Sequence, residues 1–326
     1  MKITHHIGLF ILIFLLNTFF AEGQELKKYW VFFKDKGNSI QNTSTLNKGS
    51  SEYQSALTQL SDRAIKRRLK VLTNDQLIDA QDLPLNQTYI NTIKRVGGLL
   101  QQEVRWMNAA SFKLTQEEVR AVEQLPFVEN VKPVSKFIRK DSVSVEATEL
   151  QKTASASSYD YGPSQAQYEA VKIPEVHDLG IAGEGVMIGM LDTGFRWRAH
   201  ESLQNTHVIA EHDFINNDDT TANQAGDPSA QDLHGTLTMS IVGSYMPGRV
   251  VGPAFNSDFI LGKTEVALTE TQIEEDYWAA GIEWMESYGV DVVSSSLGYD
   301  TFDGGGGYSW DHGDFNGRTA ITTRAA

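Results

Sequence analysis

The sequence has 326 residues, 40% of them hydrophobic and 21% charged, with a formal net charge of −14 and no cysteine. That is the composition of a folded chain long enough for two domains. Lack of cysteine excludes a disulfide framework, a thiolate zinc site and a cysteine nucleophile, and the excess of carboxylates repels phosphate backbones, which argues against nucleic acid as the main partner.

At the N-terminus, Lys2 precedes a mostly apolar run of about 14 residues from Ile7 to Phe20, and Ala21-Glu22-Gly23 offers a small-x-small cleavage signal. The run is short of the roughly 20 residues that a membrane span needs. A signal peptide over residues 1–23 is therefore expected, with an uncleaved anchor as the alternative. No later stretch approaches spanning length, so the mature protein is expected to be exported, secreted or in the cell envelope, without a stable membrane span.

Charge changes sign along the chain. Residues 24–145 carry 19 Lys and Arg against 13 Asp and Glu, whereas residues 146–326 carry 8 against 28. Two units of opposite sign follow, either independent in composition or docked electrostatically. The small polar stretch Thr153 to Ser158 reads as an exposed linker within 146–160.

In the basic unit, the aromatic run Tyr29 to Phe33 predicts a strand. Helical patterns follow at Ser61 to Leu72, with Leu60, Ala64, Leu69 and Leu72 near one face, and at Tyr89 to Val96, stopped by Gly97 and Gly98. Strands are expected at 99–104, 110–114 and 128–134, and Thr115 with Glu118 forms a capping box opening a helix that Pro126 ends. Apart from the helix at 61–72 this is βαββαβ, an α+β ferredoxin-like pattern. It holds no histidine, and its expected role is binding.

The acidic unit alternates strand and helix. Gly185 to Leu191 is a continuous apolar run of the kind found in a strand buried on both faces, with Asp192 at its carboxyl end. A helix is expected from His234 to Gly243, a short strand at Phe259 to Leu261, a helix opened by a capping box of Thr271 and Glu274, and a strand at Val290 to Ser296. This order predicts an α/β fold with a mostly parallel sheet and helices on both faces, its ligand crevice at the carboxyl ends of the strands.

Asp192-Thr193-Gly194 after a buried strand, His234-Gly235-Thr236 opening a helix, and Ser296-Leu297-Gly298 after a later strand resemble the subtilisin-like serine proteases, the subtilases. The resemblance runs from about Tyr161 to the end, and residues 24–145 resemble the family's inhibitory propeptide. It implies peptide-bond hydrolysis through an acyl-enzyme, with polypeptide substrates and no organic cofactor. His234 would be general base and then general acid, and Asp192 would orient it. Ser296, Leu297 and Gly298 would pair with the substrate backbone, and the propeptide would be an intramolecular inhibitor. The Gly-Thr-Ser-x-Ala nucleophile motif and the Ala-Gly-Asn segment of the oxyanion site do not occur in the sequence. The 181 residues from Glu146 onward are fewer than a subtilase catalytic domain, so a fragment of a longer reading frame, inactive alone, is expected. The rivals are a secreted pseudoprotease that binds peptides without cutting them, and a basic unit that inhibits in trans after release.

Weaker signals remain. Asp192-Thr193-Gly194 also opens an aspartic-protease site, which needs a second copy. Gly183, Gly185 and Gly189 have the wrong spacing for a dinucleotide loop. His200, His207 and His212 lack zinc spacing, and Asn216 to Asp219 with Asp227 form an acidic loop that could hold structural calcium. Gly304 to Gly307, with Tyr308 and Trp310, reads as a surface or lid loop. Asn42 and Asn86 are sequons, Trp30, Trp278 and Trp284 are expected in the core, and Asp232 lies near His234 in sequence, either perturbing it or exposed.

Overall fold

A computed structural model of the chain describes residues 25–37, 40–41, 46–134, 157–300, 302 and 307–326. The expected signal peptide, Asn42, most of the linker and Gly304 to Gly306 lie outside the described residues.

Strand β1 (Lys27–Phe33) is the middle of the N-terminal unit because both its faces are covered. Side chains alternate along a strand. Tyr29, Val31 and Phe33 accordingly enter one core, with Ile90, Phe112 and Val122, while Trp30 and Phe32 enter another, with Tyr277 and Ile321 of the C-terminal unit. After β1 come two short helices, α1 (Ser51–Leu57) and α2 (Asp62–Arg68), and then α3 (Gln87–Val96), β2 (Leu99–Val104), β3 (Ala109–Leu114), α4 (Gln116–Glu123) and β4 (Val128–Val134). The sheet order is β2-β3-β1-β4, antiparallel throughout, as a ferredoxin-like pattern requires. Thr115 and Glu118 form the expected capping box, the Glu118 amide donating to Thr115 Oγ1 and the Thr115 amide to Glu118 Oε2.

The helix expected over 61–72 stops at Arg68, so Leu60 and Ala64 are buried while Leu69 and Leu72 stand exposed. A further helix, α1, was not expected, although Tyr53, Ala56, Leu57 and Leu60 are spaced for one helical face. Ser50 and Ser61 start the two helices, each hydroxyl accepting from the amide three residues on. Together α1 and α2 enclose a small core of their own around Tyr53, Ala56, Leu60 and Ile78.

The C-terminal unit begins with α5 (Gln165–Ala170) and α6 (Ile173–Asp178), followed by β5 (Met187–Asp192), β6 (His207–Asp213), α7 (Leu233–Gly243), a hairpin of β7 (Tyr245–Met246) and β8 (Val250–Val251), β9 (Asp258–Lys263), α8 (Ile273–Tyr288), β10 (Val292–Ser295) and α9 (Ile321–Ala325). Four strands form a parallel sheet in the order β10-β5-β9-β6. Ile188, Met190, Phe259 and Leu261 pack on the α7 side with Met239, and Met187, Leu191 and Ile260 pack on the α8 side with Met285. The mixed α/β architecture with helices on both faces is as expected. Edge strand β6 was not, because its two buried residues, Glu211 and Asp213, are acidic and its apolar pattern is broken. At α8 the N-cap is Gln272, and of the expected capping box only the Thr271 amide bond to Glu274 forms.

The two units meet along α8. Lys28 of β1 reaches Asp276, with its ammonium 2.9 and 2.6 Å from the two carboxylate oxygens, and both side chains are almost fully buried. Arg105 pairs with Glu283 at 2.5 Å, and Arg67 and Arg68 with Glu286 at 2.5 and 2.8 Å. Burial holds the Asp276 carboxyl above the ordinary aspartate range and the Lys28 ammonium below the ordinary lysine range. The pair is thus stable only as a pair. Lys28→Ala is expected to lower the stability of the full chain to urea by about 3–5 kcal/mol, since an uncompensated buried charge remains. The double replacement Lys28→Met with Asp276→Leu is expected to restore most of that loss.

Candidate active site

Asp192 is the last residue of β5 and 1% exposed. A carboxylate buried this far needs hydrogen-bond partners, and three converge on it. The Thr193 amide donates to Oδ1 at 2.7 Å, Thr238 Oγ1 donates to Oδ2 at 3.1 Å, and His234 Nδ1 lies 2.7 Å from Oδ1. His234 sits in the first turn of α7, and its side chain is 50% exposed. One end of the imidazole is therefore held by a buried anion, while the ring's other side is open. The hydrogen bond to Asp192 raises the His234 pKa above the ordinary histidine value, against the smaller opposing effect of burial.

The helix start fits against the strand end because Gly235 has no side chain. A Cβ there would lie 2.2 Å from the Gly194 carbonyl oxygen and 3.0 Å from Asp192 Cβ. The Gly235 amide donates to Thr193 Oγ1 at 3.2 Å, which closes the turn between strand and helix. Gln231 completes the frame. Its buried amide donates to the Thr193 and Glu265 carbonyls at 2.7 and 2.5 Å and accepts from the Ala267 amide at 2.9 Å. Three loops at the carboxyl ends of the sheet are thereby tied together. Gln231, Thr193 and Thr238 as supports of Asp192 were not anticipated, because Gln and Thr carry no signal until their partners are placed.

The remaining candidates fall as follows. Ser296, Leu297 and Gly298 come directly after β10, which ends at Ser295 rather than Ser296; Ser296 and Gly298 are exposed, Leu297 is half-buried, and nothing lies within 4 Å of a Cβ built on Gly298. Asp232 is buried rather than exposed, and its carboxylate turns to the Asn223 amide at 3.1 Å and Arg196 at 3.4 Å, away from His234. His200, His207 and His212 are apart, bonded to Ser202, Asp258 and Asp219 respectively. In the acidic loop, Asp227 and the neighbouring Asp213 share the buried Lys263 ammonium at 2.6 and 2.8 Å. Among the described residues, the side chains that could hold a metal ion are Glu265, Glu270 and Glu274, whose oxygens lie within 4.8 Å of one another. Trp30 is buried, Trp278 and Trp284 are half-buried, and Trp310 is exposed, stacked on Phe315.

A family profile described as "Subtilase family" matches residues 183–324, and one described as "Peptidase S8 propeptide domain, Bacteroidota" matches residues 28–152. Residues 183–324 thus carry a subtilase-family domain, preceded by a propeptide domain. Subtilisin E of Bacillus subtilis is 25% identical over 209 residues, 64% of this chain and 46% of that protein. The minor extracellular protease Vpr of the same organism is 30% identical over 127 residues, 37% of this chain and 15% of that protein. The chain thus spans about half the length, or less, of the curated relatives it matches. Fervidolysin from Fervidobacterium pennivorans, a keratinolytic enzyme related to subtilisin, shares the fold, with a TM-score of 0.50 at 16% identity over 89% of this chain and 37% of that one. No helix among the described residues is long and apolar enough to cross a membrane.

Within the subtilase domain, Asp192→Asn is expected to move the His234 titration midpoint down, because a neutral amide no longer favours the imidazolium; NMR of the imidazole in the full chain reads this directly. The sign for stability follows. A raised folded-state pKa means that the contribution of the pair is complete below the ordinary histidine pKa and is lost as pH rises through the raised value. Gly235→Ala is expected to destabilise the domain by about 1–3 kcal/mol in denaturant titration, the cost of forcing a methyl into a closed contact.

Proposed function

We propose that this chain is the precursor part of an exported serine endopeptidase, in which Asp192 and His234 act with a serine supplied by polypeptide outside these 326 residues. The observation that carries the reading is the buried Asp192 carboxylate bonded at 2.7 Å to Nδ1 of a half-exposed His234, at the carboxyl ends of a parallel sheet. A proton held on Nδ1 by Asp192 leaves Nε2 as the acceptor. In the proposed cycle the serine Oγ bonds to the scissile carbonyl carbon as its proton passes to Nε2. The tetrahedral adduct then collapses, the amine leaves with the Nε2 proton, and an ester to the serine remains. Water repeats the sequence, giving its proton to Nε2 and returning the serine. Serine hydroxyl, imidazole and water carry every proton transfer while Asp192 orients the ring, so the reading calls for no organic cofactor.

Polypeptide substrates would lie along Ser296 to Gly298, whose exposed backbone can take main-chain hydrogen bonds. Two uncovered apolar surfaces support the view that more of the domain packs here. Leu233, Leu237 and Ile241 form an exposed stripe along α7, and Val292 and Val293 are exposed on edge strand β10. The N-terminal unit would act as intramolecular inhibitor through its sheet, docked on α8 and α9. The charged and apolar pattern from Lys2 to Phe20 supports export.

The test is His234→Ala in the longest in-frame protein that contains this chain. Loss of self-processing and a fall of about 10⁴-fold or more in kcat/KM are expected. Unchanged processing would favour a peptide-binding pseudoprotease. In the active protein, kcat/KM is expected to fall as pH drops through the raised His234 pKa, because an imidazolium cannot accept the serine proton.

A further inference from the structure

The C-terminal end of α8 presents what the end of any helix presents, unpaired carbonyls and the negative end of a dipole. Gly289 turns the chain there with φ 84°. The carbonyls are met from the propeptide. The Ser61 amide donates to the Ser287 oxygen and Ser61 Oγ to the Tyr288 oxygen, each at 2.9 Å, and Arg63 Nε donates to the Gly289 oxygen at 3.1 Å. The approach is close enough that a Cβ on Gly289 would lie 2.5 Å from the Ala64 nitrogen.

Charge follows the same path. Glu286 accepts from Arg67 Nη2 at 2.5 Å and from Arg68 Nε and Nη2 at 2.8 and 2.9 Å, while Asp82 holds the far side of the Arg68 guanidinium. Arg63 also pairs with Asp291 and donates to the Gly185 oxygen at 2.8 Å. Asp291 in turn accepts from the Met187 amide at 3.1 Å. Gly185 and Met187 stand at the start of β5, whereas Asp192 ends that strand. The contact is therefore at the opposite end of the sheet from His234. All of it is made by Ser61 and α2 of the α1–α2 arm, which the βαββαβ plan does not require.

We infer that the α1–α2 arm is a salt-labile latch that recognises the C-terminal end of α8 and keeps the propeptide on the subtilase domain after the connecting polypeptide is cut. The chemistry recognised is a row of helix-terminal carbonyls flanked by the Glu286 and Asp291 carboxylates, and the matching element is a serine-capped helix with arginines on one side. The latch does not depend on the proposed catalysis, so an inactive Asp192–His234 pair would leave it standing.

The test uses the full chain with a recognition sequence for a site-specific protease inserted in residues 135–156. After nicking, separation of the two halves is followed by size exclusion at about 0.02 M and about 0.5 M salt, a range over which screening becomes short-ranged. Wild-type halves are expected to stay together at low salt and to separate faster at high salt. Arg67→Ala is expected to speed separation about tenfold, the effect of losing one charge-assisted contact, and Glu286→Gln, which also weakens the bonds from Arg68, to speed it more; together they are expected to do little more than Glu286→Gln alone. Arg63→Ala, whose bonds described above all cross to the other unit, is a second variant. An unmoved His234 titration and a single cooperative unfolding transition before nicking show that the variants fold. Separation insensitive to salt, singles equal to wild type, or strictly additive singles would overturn the latch.

Discussion

One buried carboxylate organises the C-terminal unit. Asp192 ends a central strand with no water to solvate its charge, so the polypeptide around it has to supply donors. The Thr193 amide and the Thr238 hydroxyl take two of its acceptor positions, and His234 takes a third. That requirement explains why α7 begins where it does and why Gly235 stands at its contact with the strand. It explains the exposure of His234 as well, since a ring with one nitrogen bound to a buried anion can still present the other outward. Positioning and proton affinity are then one effect. The bond that orients the imidazole is also the one that raises its pKa.

The second organising constraint lies along α8. One side of this helix packs Met285 on the parallel sheet, and another lies under the propeptide. Four propeptide cations meet three carboxylates of the helix, Lys28 with Asp276, Arg105 with Glu283, and both Arg67 and Arg68 with Glu286. Burial pushes the Glu283 carboxyl up to about 7, with Arg105 opposing it. Paired ions of this kind add little net stability over apolar packing, but a wrongly placed partner would leave charges unpaired at considerable cost. Their effect is to select one docking arrangement. The opposite charges of the two halves meet on this helix and, through Arg63 and Asp291, just beyond its end.

Hydrophobic contact and charge are divided within that interface. Trp30, Phe32, Val104 and Met107 join Tyr277, Ala280 and Ile321 in a shared core, while the arginines of α2 gather at the end of the helix. The central part excludes water and resists salt, and the outer part is open to screening. A propeptide built in this way has two attachments of different physical character, an apolar one along α8 and a charged one at its C-terminal end.

Most of the strands and the Asp192 and His234 candidates were legible from the sequence because their signals are local. An aromatic run buried on both faces, an apolar strand ending in Asp192, a capping box at Thr115 and Glu118, and glycines at turns each reflect constraints within a few neighbouring residues. The sign change in charge was equally plain. What the sequence could not assign were pairings made across the chain. Nothing local marks Gln231 as the tie between two loops, Lys263 as the cation between Asp213 and Asp227, or Ser61 as a donor to carbonyls more than two hundred residues away. Helix α2 ends at Arg68, where its guanidinium is held by Asp82 and Glu286, although the apolar spacing continues to Leu72. Periodicity records which face a segment can bury, and so the sequence by itself determined most of the elements and the Asp192 and His234 candidates. Tertiary structure decided which charges are neutralised and by whom, because a hydrogen bond depends on distance in space and carries no period along the chain.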